Sequence, residues 1–218
     1  MKYSTLIDNM DKVITLYCAA NGDFAAIKTE IKEVRHPAAE AELPTYNTTI
    51  IDIEWNVNDN SDSTTLVLDE RDGTVHILKD MQSGCVDKDA DLSDYDWEDL
   101  TAFVSEDDVV NYDKVIKNEI IKKALEVIDC VKSHKMAMRV EASTCGHLVE
   151  EWLREFEENG YNDIVNATEK DVVEAYDECV DFGCENIDAF QVLRQIASHA
   201  SCNDEHASID RVNVWEIK

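Results

Sequence analysis

The spacing of apolar residues changes along the chain, and each change marks an element. Leu6, Met10, Val13, Ile14 and Tyr17 recur at intervals of three and four, the period of a helix with one buried stripe. Asn21-Gly22 supplies a stop, and Asp23 is placed to cap a second helix carrying Phe24, Ile27, Ile31 and Val34. From Thr48 to Val57 the period drops to two. Ile51, Ile53, Trp55 and Val57 alternate with Asp52, Glu54 and Asn56, which predicts a strand with one wet face. Thr64 to Asp69 and Thr74 to Lys79 predict two more strands, joined through Glu70-Arg71-Asp72-Gly73 as a hairpin. Such short connections make the sheet antiparallel.

The texture changes at Asp80. Up to Asp108, acids stand at almost every second or third position around Leu92, Tyr95, Trp97, Leu100 and Phe103, which predicts a loop and then a short helix. A long helix follows from about Tyr112 to Lys135 through Val115, Ile116, Ile120, Ala124, Val127, Ile128 and Val131. Further helices are predicted over Leu148–Glu158, Thr168–Phe182 and Ile187–His199, and Arg211–Ile217 closes the chain as a strand. Thr168 and Asp171 have the spacing of a capping box with Asp in place of Glu. The fold class is therefore α+β: an N-terminal ααβββ unit with a small antiparallel sheet, followed by a mainly helical C-terminal part. The expected organisation is an N-terminal unit over 1–80, an acidic connector over 81–111 and a mainly helical acidic domain over 112–218.

Composition agrees with a folded chain. Of 218 residues 44% are apolar, and only two are proline and six glycine, enough to bury one sizeable core or two small ones. Disorder needs low hydrophobicity as well as high charge, and apolar residues recur here along nearly the whole length. Met1 to Thr5 leads straight into the amphipathic pattern with no apolar signal core, and no run is long enough to span a bilayer. The expectation is a cytoplasmic protein without membrane contact. Seven scattered cysteines, an odd number, then read as small buried hydrophobes rather than a disulfide framework.

Charge alters the picture most. The net charge is −28, and two segments hold most of it: Asp80–Asp108 carries −10 and Glu141–Asp188 carries −13. Excess like charge opposes compaction and bears on solubility and partners rather than on fold. Adaptation to salt would also give acidity, but 14 lysines against six arginines and plentiful cysteine and isoleucine argue against it. Between the acidic segments, Lys114–Arg139 carries seven bases against three acids, so internal neutralisation is a fold-level use for the same charge.

Helical geometry makes the acidity specific. At 100° per residue, Asp171, Glu174, Glu178 and Asp181 fall within one quarter of a helix, with Val172, Val173, Tyr176 and Val180 read as the buried face. Glu151, Glu155 and Glu158 do the same one helix earlier, opposite Val149, Trp152, Leu153 and Phe156. No lysine interrupts either stripe, although one at i+4 would add a few tenths of a kcal/mol. Asp94, Asp96, Glu98 and Asp99 form a second patch. Carboxylates one turn apart recur about every 5.4 Å, comparable to phosphates on a strand with about one charge per 3.4 Å.

In size, acidity and absence of catalytic motifs the chain resembles the DNA mimics that phages and mobile elements use against restriction and other defence systems. That resemblance implies a non-enzymatic inhibitor of the anti-restriction or anti-CRISPR type. It would occupy the basic groove of a nucleic-acid-binding protein or complex and would not bind nucleic acid itself. A homodimer would double the acidic surface about its two-fold axis. A solvated outer face accounts for the same charge run. So does an acidic, non-catalytic adaptor read through apolar contacts, for which Tyr95 and Trp97 are the candidates.

Two groups of residues offer metal-ligand chemistry. Asp87 to Glu98 places oxygen donors at positions 1, 3, 5, 7 and 12 of a calcium loop, but Leu92 stands where glycine must turn and Asp94 where an apolar residue belongs. His199, Cys202 and His206, with Cys145, His147, Cys179 and Cys184, are acceptable zinc ligands whose spacing matches no familiar finger. Cys145-Gly146-His147 offers a thiol and a base, yet neighbouring positions rarely face one another. Phosphate-binding loops, dinucleotide glycine patterns and hydrolase, metalloprotease or kinase signatures are all missing. No catalytic residue, metal or cofactor is assigned.

Overall fold

A computed structural model describes residues 1–21, 27–36, 48–57, 60–79, 84–87, 91–144, 150–184, 187–199 and 207–217. The chain divides into two compact units, Met1–Ile116 and Lys117–Lys218. Both mix helix and strand, and the α+β class holds.

The first unit opens with α1 (Tyr3–Asp8) and α2 (Met10–Ala20). Leu6, Met10, Val13, Ile14 and Tyr17, the residues that set the helical period, are all buried. A five-stranded antiparallel sheet follows in sequential order: β1 (Lys28–Arg35), β2 (Thr48–Val57), β3 (Asn60–Asp69), β4 (Thr74–Leu78) and β5 (Trp97–Asp99). Ile51, Ile53, Leu66, Leu68, Val75 and Ile77 join the helical residues in one core. The β3–β4 hairpin turns at Gly73, whose φ of +77° suits glycine; a Cβ there would also lie 2.6 Å from the Met1 nitrogen.

The second predicted helix is instead strand β1, and the reason is local. Ile31 pairs with Ile53 and Val34 with Ile51, with the register shifting between Ile31 and Glu33. The extra residue, Lys32, forms a β-bulge that turns the strand's two-residue period into three. Ile27, Ile31 and Val34 then imitate helical spacing while facing the sheet's core. The predicted cap, Asp23, and Phe24 lie outside the described residues.

The wet face expected on β2 is also closed at Asp52, which is only 5% exposed. Arg35 on β1 pairs with it at 2.7 Å and also donates to the Val86 carbonyl at 3.1 Å. The Thr65 hydroxyl donates to the same carboxylate at 2.6 Å and accepts from the Val86 N–H at 2.9 Å. Isolated charge burial costs several kcal/mol; the guanidinium and hydroxyl together answer the carboxylate.

The described part of the acidic segment 81–111 packs within this unit. It supplies β5, short 3-10 turns at Leu92–Asp94 and Leu100–Ala102, and α3 (Glu106–Val110). Its Leu100, Val104 and Val109 are buried in the core around α2. Ser105 and Asp108 close a capping box at the start of α3, exchanging bonds of 2.8 and 3.2 Å.

In the second unit, α4 (Tyr112–Lys132), which begins in the first, leads to β6 (Met136–Thr144), α5 (Glu150–Asn166), α6 (Glu169–Asp181), α7 (Ala189–His199) and β7 (Ala207–Glu216). Strand β6 has no counterpart among the predicted elements; β7, which begins before the predicted closing strand, pairs antiparallel with β6. Met138, Val140 and Val212 share the buried face of this ribbon, and Ile164, Val172, Leu193 and Ile196 bury the helices. Gly160 on α5 is buried where a Cβ would stand 3.2 Å from the Ala197 Cβ and 3.4 Å from Val140 Cγ1. Glycine lets α5 approach α7 and β6 this closely without displacing Ala197 or Val140. Among the described residues, no helix is long and apolar enough to cross a membrane.

Candidate functional site

Some acidic residues of α6 are tied into the fold by hydrogen bonds and others are not. Asp171 is exposed but tied. Its carboxylate accepts from the Thr168 N–H at 2.8 Å and from the Thr168 hydroxyl at 2.7 Å, and the Asp171 N–H returns a bond to that hydroxyl. The backbone bond from Thr168 leads in holding this carboxyl below its ordinary pKa. The capping box predicted from the sequence is thus formed, and it engages the first acid of the stripe.

Glu178 is also engaged. Gln195 Nε2 on α7 donates to its Oε2 at 2.9 Å, and His199 Nε2 meets the same oxygen. The Gln195 bond leads in lowering the Glu178 pKa, against desolvation and with help from His199. Glu174 pairs with Lys170 at 3.1 Å, one turn back, so a lysine does stand beside the stripe. Asp181 remains exposed.

The buried face of α6 is Val172, Ala175 and Cys179, rotated by roughly 80° from the expected one at 100° per residue. Val180, expected inside, is 51% exposed. Small Ala175 and Cys179 face inward, and the Cys179 sulfur reaches the Gln191 carbonyl on α7 at 4.0 Å. Rotation brings Asp177 outward, a position outside the predicted stripe. Lys117 on α4 pairs with it and lies 5.4 Å from the Tyr176 ring centroid, so the basic helix neutralises part of this surface.

On α5, Glu155 and Glu158 are exposed, while the side chains of Val149 and Glu151 lie outside the described residues. Trp152, expected inside, is 61% exposed; Leu153 and Phe156 are half-buried. Glu157 turns inward and accepts from the Ala142 N–H at 3.1 Å. A concavity of about 290 Å³ is lined by Asp163, Asn166, Asp171, Glu174, Ile196 and His199. Asp163 falls in no stripe of its own helix, whereas this concavity draws on three helices.

The second predicted patch lies in the first unit. Asp94 and Asp96 are exposed, but Glu98 accepts from the Tyr17 hydroxyl and Asp99 caps a turn through Thr101 and Ala102. Trp97 is half-buried and donates to the Leu92 carbonyl at 2.7 Å. These bonds also bear on the calcium loop, of which residues 88–90 lie outside the described residues. Asp91 caps the turn at Ser93, and Glu98 lies in strand β5. Cys145, His147, Cys202 and His206 lie outside the described residues too, and His199 is paired with Glu178. Among the described residues, no three His, Cys, Asp or Glu side chains are grouped to hold a metal ion.

What remains is a set of acids on the second unit, with Glu155, Glu158, Asp163, Glu174, Asp177 and Asp181 exposed, and Asp171 and Glu178 held by side-chain bonds at the same surface. No family model matches the chain, and comparison with curated proteins and with solved structures returns no match.

Proposed function

We propose that the second unit is a rigid polyanion that occupies the basic groove of a nucleic-acid-handling protein, as a DNA-mimic inhibitor of a host defence or DNA-processing complex would. The observation that carries this reading is the exposure of Glu155 and Glu158 on α5 and Asp181 on α6, two helices each with a buried face, the second also fixed by a capping box. A preorganised array loses little entropy on binding, and its charge speeds encounter with a basic partner. Lys170 and Lys117 neutralise Glu174 and Asp177 in part, so the partner would exchange those pairs for its own bases.

The test is retention of lysate proteins on immobilised chain at low and high salt, beside a Glu158→Lys/Asp181→Lys variant. Salt-sensitive capture of a nucleic-acid-binding complex by the natural chain, lost in the variant, is the expected result. Capture that the variant retains would remove this surface from the reading. Asp181 lies in the last turn of α6, where a lysine suits the helix dipole, so the fold should survive.

Exposed Phe182, at 73%, and Val180, at 51%, favour a second reading, an adaptor held by apolar contacts beside the acids. Binding of that kind would weaken on Phe182→Ala and change little with salt.

A further inference from the structure

Helix α6 ends in a closed turn. Gly183, with φ +69°, donates its N–H to the Val180 carbonyl at 2.9 Å, and Cys184 donates to the Cys179 carbonyl at 3.0 Å. These are the two bonds of a Schellman motif, in which the side chains of the first and last residues meet. Both of those residues are cysteine here. Their thiols are in contact, with Cys179 buried and Cys184 half-exposed, and neither is in a disulfide.

We propose that Cys179 and Cys184 are an oxidisable thiol pair, a modification site that takes a low-molecular-weight disulfide such as glutathione disulfide. Cys184, the accessible member, attacks first as thiolate; its sulfur bonds to one glutathione sulfur and the other leaves as glutathione thiolate. Cys179 then loses its proton to solvent and attacks the Cys184 sulfur, expelling the second glutathione. One protein disulfide forms, two protein thiols are oxidised, and one glutathione disulfide is reduced to two glutathiones. The backbone bond between the two residues ties their main chains together across the turn, which favours the short separation a disulfide requires. Burial, with Cys184 second, pushes the Cys179 thiol up to about 11, and the burial persists in the mixed disulfide, so the resolving thiol stays largely protonated and ring closure is slowed. The product would fix covalently the turn that carries exposed Phe182 at the end of the acidic helix. This inference stands independently of the partner proposed above.

The experiment incubates the full chain with excess glutathione disulfide, blocks remaining thiols under denaturing conditions and maps the tryptic peptide Asp171–Arg194 by mass spectrometry. The expected peptide has lost the mass of two hydrogens, carries no alkyl group, and regains both sites on reduction. Cys184→Ser should leave Cys179 alkylatable, and Cys85→Ser/Cys130→Ser should change nothing. Two alkyl groups on that peptide, or an end product with glutathione on Cys184 and alkyl on Cys179, would overturn the proposal.

Discussion

Gln195 on α7 holds the Glu178 carboxylate of α6 at 2.9 Å, so an acid that reads as part of a free stripe is a strut between two helices. Reversing it would test the fold and not a partner. Glu178→Ala should lower stability by about 1 kcal/mol, the scale of a charge-assisted bond discounted for its partial exposure. Glu158→Lys should change stability by less than about 0.5 kcal/mol. Chemical denaturation of the two variants makes the comparison.

The same bond fixes a pH dependence. The folded pKa of Glu178 lies below its ordinary 4.5, and that of Asp69, held by Arg71, falls from 3.8 to about 2. A depressed carboxyl binds its proton more weakly when folded, so its contribution is present above the unfolded pKa and lost as pH falls through the folded one. Stability from these groups should therefore decline from about pH 4.5 downward and, for Asp69, continue to about pH 2. Asp69→Asn should flatten the lower part of the melting-temperature profile. An unchanged profile would count against the Arg71 contact.

The side chains of Arg35 and Asp52 are 15% and 7% exposed, and each needs the other. Asp52→Ala leaves a guanidinium in a closed site and should cost about 3–5 kcal/mol, whereas Arg35→Met with Asp52→Leu should recover much of that loss. Equal losses in the single and double variants would show that packing, not charge pairing, dominates there. Urea midpoints with the fitted slope distinguish the cases.

Gly160 and Ala197 meet where a new methyl would lie 3.2 Å from an existing one fixed to the α7 backbone. Alanine ordinarily favours a helix by about 1 kcal/mol over glycine, but here the crowding should outweigh it and Gly160→Ala should destabilise by about 1 kcal/mol. Adding Ala197→Gly should restore part of the loss. A coupling energy near zero in that cycle would mean the helices separate freely.

Regular stretches were legible in the sequence because their burial has one cause. Leu6 to Tyr17 keep a helical period, Ile51 and Ile53 keep a strand period, and all of them enter one core. The Thr168–Asp171 box and the turn at Gly73 were legible for a similar reason, since each is made by residues a few positions apart. Strand β1 was misread because one bulged residue gives a strand the spacing of a helix. Strand β6 was missed because its alternation follows directly on a long basic helix, and its partner lies some seventy residues away in β7.

For the candidate site, the amount and location of negative charge were determined by the sequence alone. Local rules could also say that the acids fall on helices. Which acids are available was decided only by tertiary structure. Small Ala175 and Cys179 admit α7 to one side of α6, turning Val180 and Asp177 outward and Glu178 toward Gln195. Lys117, sixty residues away, neutralises Asp177. Helical periodicity defines an apolar stripe only to within a residue or two, whereas side-chain volume at a contact chooses the face that closes. That choice is made between elements distant in the chain, where no local pattern records it.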